Sequence, residues 1–106
     1  MKKKSKQRPH ITIIARRWFQ RTYGNTYHSV TVLADGVEIG RIPFAYGYGE
    51  QYLQSAFEVL QGKGFYPHVR DGRHSSSDYS IFRQDMMDHR ESFTVTCSDV
   101  GRQKDL

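Results

Sequence analysis

A short basic and aromatic segment contains the residues that most clearly suggest a chemical role. Residues 15–28 include three arginines and four aromatic residues but no acid. Cationic side chains attract phosphates, and aromatic rings stack on nucleic-acid bases. The segment therefore predicts a surface that binds a polyanion or another partner, with contacts from Arg16, Arg17, Trp18, Arg21, Tyr23 and Tyr27.

Positive charge is concentrated at the start of the chain. Residues 1–21 carry eight lysines and arginines and no acid, whereas the whole chain of 106 residues has a net charge of +5. This polarity favours an acidic partner, which can be nucleic acid, a nucleotide or an acidic protein surface. For residues 1–9 the alternative is a lysine-rich tail that only keeps the protein in solution.

A second candidate site lies where a Tyr-Gly-Tyr-Gly segment precedes a predicted helix. Helix N-termini present unpaired N–H groups, and glycines let a phosphate approach the backbone. A small phosphorylated nucleotide is therefore an alternative ligand, although the lysine and Ser/Thr of a P-loop are missing. A structural turn is the other interpretation. The residues of this possible site are Tyr46, Gly47, Tyr48, Gly49, Tyr52 and Arg41.

The sequence has no motif for catalysis. His68, His74 and two nearby aspartates are conceivable metal ligands, but spacing of this kind arises easily by chance in a Gly/Ser-rich loop. The alternating strand position of Cys97 favours a packed thiol over a nucleophile. We therefore expect a protein that is not an enzyme and that uses no metal and no cofactor.

Composition also bears on the compartment. A single cysteine excludes an internal disulfide framework and fits a reducing compartment. No apolar run approaches the roughly 20 residues that cross a bilayer. No hydrophobic segment follows the N-terminal lysines, so a secretory signal is not expected. The sequence predicts a cytoplasmic protein without a membrane partner.

The elements that position these residues follow from the pattern of the chain. Residues 1–9 are predicted to be a disordered basic tail and residues 10–106 a single domain, since the chain is too short for two cores. Three antiparallel strands are predicted over residues 10–22, 26–34 and 37–44. Two-residue hairpin turns at Gly24-Asn25 and Asp35-Gly36 connect them.

The second half of the chain is predicted to begin with a helix. Residues 50–61 place apolar side chains at helical spacing, and this face should cover the sheet: Leu53, Ala56, Phe57 and Leu60. Further short strands are predicted over 65–70, 79–82 and 93–98, with a flexible loop at 71–78 and a helical turn or polar connection at 83–90. The fold class is α+β: an antiparallel β-meander of three strands, one helix packed on it, then two or three short strands.

Two-residue turns also fix a register for the meander. One face should be apolar and buried, with Ala15, Phe19, Val30, Val32, Ala34, Val37 and Ile39. The opposite face should carry Arg16, Trp18, Gln20, Tyr27, Ser29, Thr31 and Ile42. Phe19 is therefore expected to be more buried than Trp18. Arg17 falls on the apolar face, where a bulge or the end of the sheet would have to release it.

Three blocks of sequence resemble small accessory proteins of tailed bacteriophages and their prophages. They are residues 17–30, residues 44–49 and the closing residues 99–106. The resemblance implies expression inside a bacterial cell and a role in host takeover or counter-defence, but no assigned activity. The predicted function is a non-catalytic accessory protein that binds nucleic acid through its basic, aromatic hairpin face. The alternative is an inhibitor of a host defence protein, possible as a homodimer, because Trp, Tyr and Arg dominate protein interfaces.

Overall fold

A mixed sheet and two helices form the part of the chain that the computed structural model describes, residues 9–47, 49–65 and 75–106, with residues 75–78 as backbone only. The elements are, in chain order, β1 (Ile11–Gln20), β2 (Asn25–Ala34), β3 (Val37–Tyr46), α1 (Gln51–Gly62), α2 (Ser75–Asp88) and β4 (Phe93–Val100). Short 3-10 turns follow α2 at Arg90–Ser92 and β4 at Gln103–Asp105. The predicted α+β class is confirmed.

The strand order in the sheet is β3-β2-β1-β4. Neighbouring strands β1, β2 and β3 are antiparallel, which confirms the predicted meander. Strand β4 lies on the other side of β1 and runs parallel to it, with Ile11 opposite Phe93. A parallel partner needs a long crossover connection, which the segment containing β2, β3 and both helices provides.

The two hairpin turns differ from each other in length. Asp35 and Gly36 have φ angles of 51° and 83° and connect the paired residues Ala34 and Val37, as the prediction required. The predicted two-residue turn at Gly24-Asn25 is wrong, because Asn25 already pairs with Gln20. Residues 21–24 form the loop instead, and Gly24 closes it with φ 72° and an N–H that donates to the Gln20 carbonyl at 2.8 Å.

The core lies between one side of the sheet and the two helices. Buried side chains of the sheet are Ile11, Ile13, Ala15, Val30 and Val32, and those of the helices are Leu53, Ala56, Phe57, Leu60 and Phe82. The predicted apolar face of α1 is therefore confirmed. Helix α1 comes so close to β3 that a Cβ on Gly40 would lie 2.5 Å from Cγ1 of Val59. A residue without a side chain is needed at this contact.

Helix α2 corrects the predicted secondary structure after α1. The strand predicted over residues 79–82 is wrong, since these residues belong to α2. Tyr79 and Phe82, three residues apart, lie on one side of this helix and both contact Phe57, with ring centroids at 5.6 and 5.5 Å. Among the described residues, β4 is the only further strand. Most residues of the predicted tail (1–9), strand (65–70) and loop (71–78) lie outside the described part of the chain. Helix α2 begins at Ser75, within the predicted loop.

The burial of two residues and the face of a third differ from the prediction. Phe19 is 55% exposed and Trp18 is half-buried, so the expectation that Phe19 is the more buried is wrong. Val37 is exposed at the β2–β3 turn. Ile42 lies opposite Val30 and packs against the core, because the register of β2 and β3 shifts by one residue between Val32 and Leu33. The other residues of the predicted apolar face are buried or pack on the core.

Candidate nucleic-acid interface

One side of the sheet, here called the open face, is not covered by a helix in the described part of the chain. Both helices pack on the opposite side, where the core lies. Alternation along the strands brings polar, basic and aromatic residues to the open face. These residues are Ile14, Arg16 and Trp18 of β1, Tyr27, Ser29 and Thr31 of β2, and Arg41, Phe44 and Tyr46 of β3.

Three rings on neighbouring strands form a stacked row across the open face, here called the aromatic column. Trp18 stacks on Tyr27 with centroids 5.8 Å apart, and Tyr27 stacks on Phe44 at 4.7 Å. Tyr46 meets the edge of Tyr27 at 5.7 Å. Phe44 ends the column on the edge strand β3 and is 45% exposed. In the described part of the chain, no strand lies beyond Phe44 on the side turned away from Tyr27.

A small cavity, here called the arginine cavity, lies beside the aromatic column. Its volume is about 180 Å³, and it is lined by Ile14, Arg16, Ser29, Thr31 and Arg41. Ser29 forms the floor and is only 5% exposed. Within the described ranges, no acidic side chain lines the cavity and neither arginine has a carboxylate partner. The cavity thus presents two cationic groups and two hydroxyls to a ligand.

Arg17 lies on the opposite side of the sheet from the aromatic column. Its Nε donates to Asp99 Oδ1 at 3.0 Å, and its Nη1 donates to the Gly49 carbonyl at 3.1 Å. This ion pair at the end of the sheet explains how an arginine is accommodated on the apolar side. Arg17 also lines a separate cavity of about 300 Å³ with Phe19 and Asp99. The charge of Arg17 is therefore already paired with an acidic side chain.

The remaining residues of the predicted interface lie at the end of the β1–β2 hairpin. Arg21 and Tyr23 belong to the loop of residues 21–24, and both are exposed. They lie beyond the strand position of Trp18 and Tyr27, which pair directly with each other. The structure therefore brings Arg16, Trp18 and Tyr27 together, with Arg21 and Tyr23 at one end of that surface.

The described residues of the predicted phosphate site at the start of α1 lie on different sides of the sheet. Tyr46 and Arg41 project from the open face, whereas Tyr52 packs against the core on the other side of the sheet. Tyr48 lies outside the described residues. The N–H of Gly47 donates to the Thr26 carbonyl at 2.9 Å. Its φ of 147° also gives this glycine a structural reason to be there.

A buried histidine connects the sheet to α1. His28 is 1% exposed, with its Nε2 2.7 Å from the Ser55 hydroxyl and its Nδ1 3.4 Å from the Gly47 carbonyl. A carbonyl only accepts hydrogen bonds, so we assign the ring proton to Nδ1, which donates to the Gly47 carbonyl. The Ser55 hydroxyl then donates to Nε2. This pair resembles the nucleophile and base of a hydrolase, but its burial removes it from any substrate.

Protonation of His28 is expected to destabilise the fold at low pH. Burial lowers the pKa of His28 below its ordinary value of 6.5, despite opposing effects of the Gly47 carbonyl and Glu58. The unfolded chain therefore takes up this proton first, and stability falls as the pH drops below about 6.5 by up to about 1.4 kcal/mol per pH unit. Above that pH, the contribution of His28 to stability is constant.

Urea unfolding of His28→Gln at neutral and at mildly acidic pH measures this effect. The variant should lose less stability on acidification than the original protein does, whatever its stability at neutral pH. His89→Gln is the matched control, because His89 is half exposed and immediately precedes the 3-10 turn Arg90–Ser92. An unchanged pH dependence in His28→Gln would contradict the expectation.

Cys97 lacks the environment of a reactive thiol. Burial raises the pKa of the Cys97 thiol and also that of the Tyr52 hydroxyl, to which it is hydrogen-bonded. Cys97 packs against the core, as the sequence predicted. Both groups therefore stay protonated at neutral pH, and a thiolate nucleophile is disfavoured.

The described residues contain no group of three or more His, Cys, Asp or Glu side chains that could hold a metal ion. The histidines at positions 68 and 74 lie outside them. Neither helix of the described part has both the length and the apolar character that crossing a membrane requires.

Comparisons with known proteins leave the function to be argued from this site. No family model matches the sequence, and no curated protein or solved structure matches it either. The resemblance to bacteriophage proteins therefore stays a prediction.

The sequence did not predict that Phe44 belongs to the open face or that Arg16 and Arg41 line one cavity. Arg41 lies opposite Thr31 because the register of β2 and β3 shifts between Val32 and Leu33, and a second shift leaves Pro43 and Phe44 together opposite Ser29. Pro43 is the signal that was available, because proline within a strand marks an edge or a bulge. For Phe44 the Asp35-Gly36 turn was a signal as well, because a register continued unbroken from Ala34 and Val37 places Phe44 opposite Tyr27.

Proposed function

We propose that the protein binds single-stranded nucleic acid on the open face of its sheet. The observation that carries this proposal is the aromatic column, which crosses three neighbouring strands beside a cavity lined by Arg16 and Arg41. Single strands are commonly held by aromatic rings that stack on bases together with cationic groups that follow the backbone. The open face combines both features.

A single strand fits this face better than a duplex does. Stacking on Phe44 requires the flat side of a base, which a double helix hides between its neighbours. The lysines and arginines of residues 1–8 add attraction that does not depend on sequence. In this proposal the protein is a non-catalytic accessory protein of the bacterial cytoplasm, in keeping with its resemblance to bacteriophage proteins.

Trp18 makes the proposal directly measurable, because it is the only tryptophan of the chain. Titration with an oligothymidylate of about ten nucleotides should change its fluorescence, since this length suits a single-strand site of one small domain. The affinity should fall steeply between about 50 and 200 mM salt, because bound phosphates release counterions. A duplex of the same length should bind more weakly. No binding of the single strand at about 50 mM salt, where such contacts are strongest, would refute the proposal.

Exposure of Phe44 and Tyr46 on an edge strand also favours a second candidate, a protein partner. Aromatic residues and arginine are enriched in interface hot spots, so the same face suits a host protein or a second copy of the chain. Light scattering tests the homodimer directly. A dimer that Tyr46→Ser converts into a monomer would favour this candidate, whereas a monomer whose fluorescence responds to oligothymidylate favours nucleic acid.

A further inference from the structure

We propose that the arginine cavity holds one backbone phosphate of the bound strand. This inference rests on the proposed function and names the contact that fixes the position of the strand on the sheet. The cavity draws on three strands: Ile14 and Arg16 from β1, Ser29 and Thr31 from β2, and Arg41 from β3. A phosphodiester in this cavity meets cations from both flanking strands and hydroxyls from the central one.

The side chains that line the arginine cavity are suited to bind the oxygens of a phosphate. Arginine guanidinium groups form paired, charge-assisted hydrogen bonds to phosphates, and hydroxyls donate one more each. Ser29 is almost fully buried at the floor, so its position does not depend on a flexible side chain. Among the described residues, Arg16 Nη1 makes one long contact, 3.5 Å, to the Asp105 carbonyl. This weak contact leaves the guanidinium free to turn to a stronger acceptor.

The spacing between the cavity and the aromatic column suits a nucleotide. Arg16 pairs with Ser29, and Trp18 pairs with Tyr27 two residues further along both strands. Two residues of a strand span roughly 7 Å. A base that stacks at the column and a phosphate that enters the cavity are therefore one step apart along a nucleic-acid chain. The cavity fixes the backbone, while the column holds bases without selecting among them.

Salt dependence distinguishes a phosphate contact from a stacking contact. Affinity for a single strand falls with a logarithmic slope of about 0.7 for each phosphate that the protein neutralises. Arg41→Gln and Arg16→Gln should each weaken oligothymidylate binding by about 5- to 30-fold at low salt and reduce this slope by up to about 0.7, because both contact the same phosphate. Arg90→Gln is the matched control, since Arg90 is exposed and lies beyond α2, in the 3-10 turn Arg90–Ser92.

A second measurement locates the anion without an oligonucleotide. Inorganic phosphate added to ¹⁵N-labelled protein should shift the amide signals of Ser29, Thr31 and Arg41 in the original protein, and Arg41→Gln should abolish these shifts. Circular dichroism of each variant shows that the fold is retained, as the exposure of both arginines leads us to expect.

The two measurements separate this inference from the proposed function. If oligothymidylate binds but Arg16→Gln and Arg41→Gln keep the affinity and salt slope of Arg90→Gln, the phosphate site is overturned and the nucleic-acid proposal stands. If oligothymidylate does not bind while phosphate shifts Ser29 and Thr31, the cavity is an anion site and the proposed function is refuted. Absence of both responses overturns both.

Discussion

Phe44→Ala is expected to weaken the binding of a single-stranded oligonucleotide by about 5- to 150-fold. Stacking of one base on an aromatic ring contributes about 1–3 kcal/mol, and each 1.4 kcal/mol is tenfold in affinity. Phe44 is the end of the aromatic column, and its outer ring face has no neighbouring strand. Fluorescence titration through Trp18 measures the effect. The salt slope should stay unchanged, because no phosphate contact is removed.

Phe19→Ala is the matched control for this substitution. Phe19 is also a phenylalanine of the sheet and is exposed to a similar degree, but it projects from the side that carries Arg17 and the core. Its removal should leave the affinity within about twofold of the original value, as expected for a residue outside the site. Equal losses in the two variants would show that the open face is not the binding surface. A loss in Phe19→Ala alone would place binding on the opposite side.

Phe82→Ala is expected to reduce the free energy of unfolding by about 3–5 kcal/mol, the range for a fully buried aromatic residue. The ring is completely buried, stacks on Phe57 at 5.5 Å and meets the edge of Phe93 at 6.3 Å. It therefore joins α2, α1 and β4 in one core. Since domains of this size are stable by only about 5–15 kcal/mol, the variant should unfold at much lower urea concentrations.

Ile81→Ala tests whether the loss comes from burial rather than from the helix itself. Ile81 precedes Phe82 in α2, and it is 53% exposed. Its substitution should change the free energy of unfolding by less than about 1 kcal/mol. If both variants lose similar stability, α2 does not pack as described. If neither variant loses stability, Phe82 is not part of the core.

The elements that the sequence predicted well are those determined by local patterns. Helix α1 begins one residue after its predicted start, because Leu53, Ala56, Phe57 and Leu60 leave a single apolar face to bury. The Asp35-Gly36 turn was predictable because both residues tolerate a positive φ and flank matching strands. The side of the sheet that carries Arg16, Trp18 and Tyr27 also followed from strand alternation, even though the first turn was misassigned.

The features that were not predictable depend on contacts distant in sequence. A single glycine at the β1–β2 turn is compatible with loops of two or four residues, and only the pairing of Gln20 with Asn25 decides between them. Tyr79 and Phe82 suit a strand as well as a helix until Phe57 is placed beneath them. The arginine cavity likewise requires three strands in register with an irregular β3.

The parallel pairing of β1 with β4 constrains how the polypeptide reaches its native state. Ile11 contacts a partner, Phe93, that leaves the ribosome long after the β1–β2–β3 meander is complete. During that interval one edge of β1 is unpaired and open to association with other nascent chains. Contacts between such distant residues also raise the contact order and slow the final step of folding. Rapid synthesis in a crowded cell should therefore favour aggregation through this unpaired edge of β1.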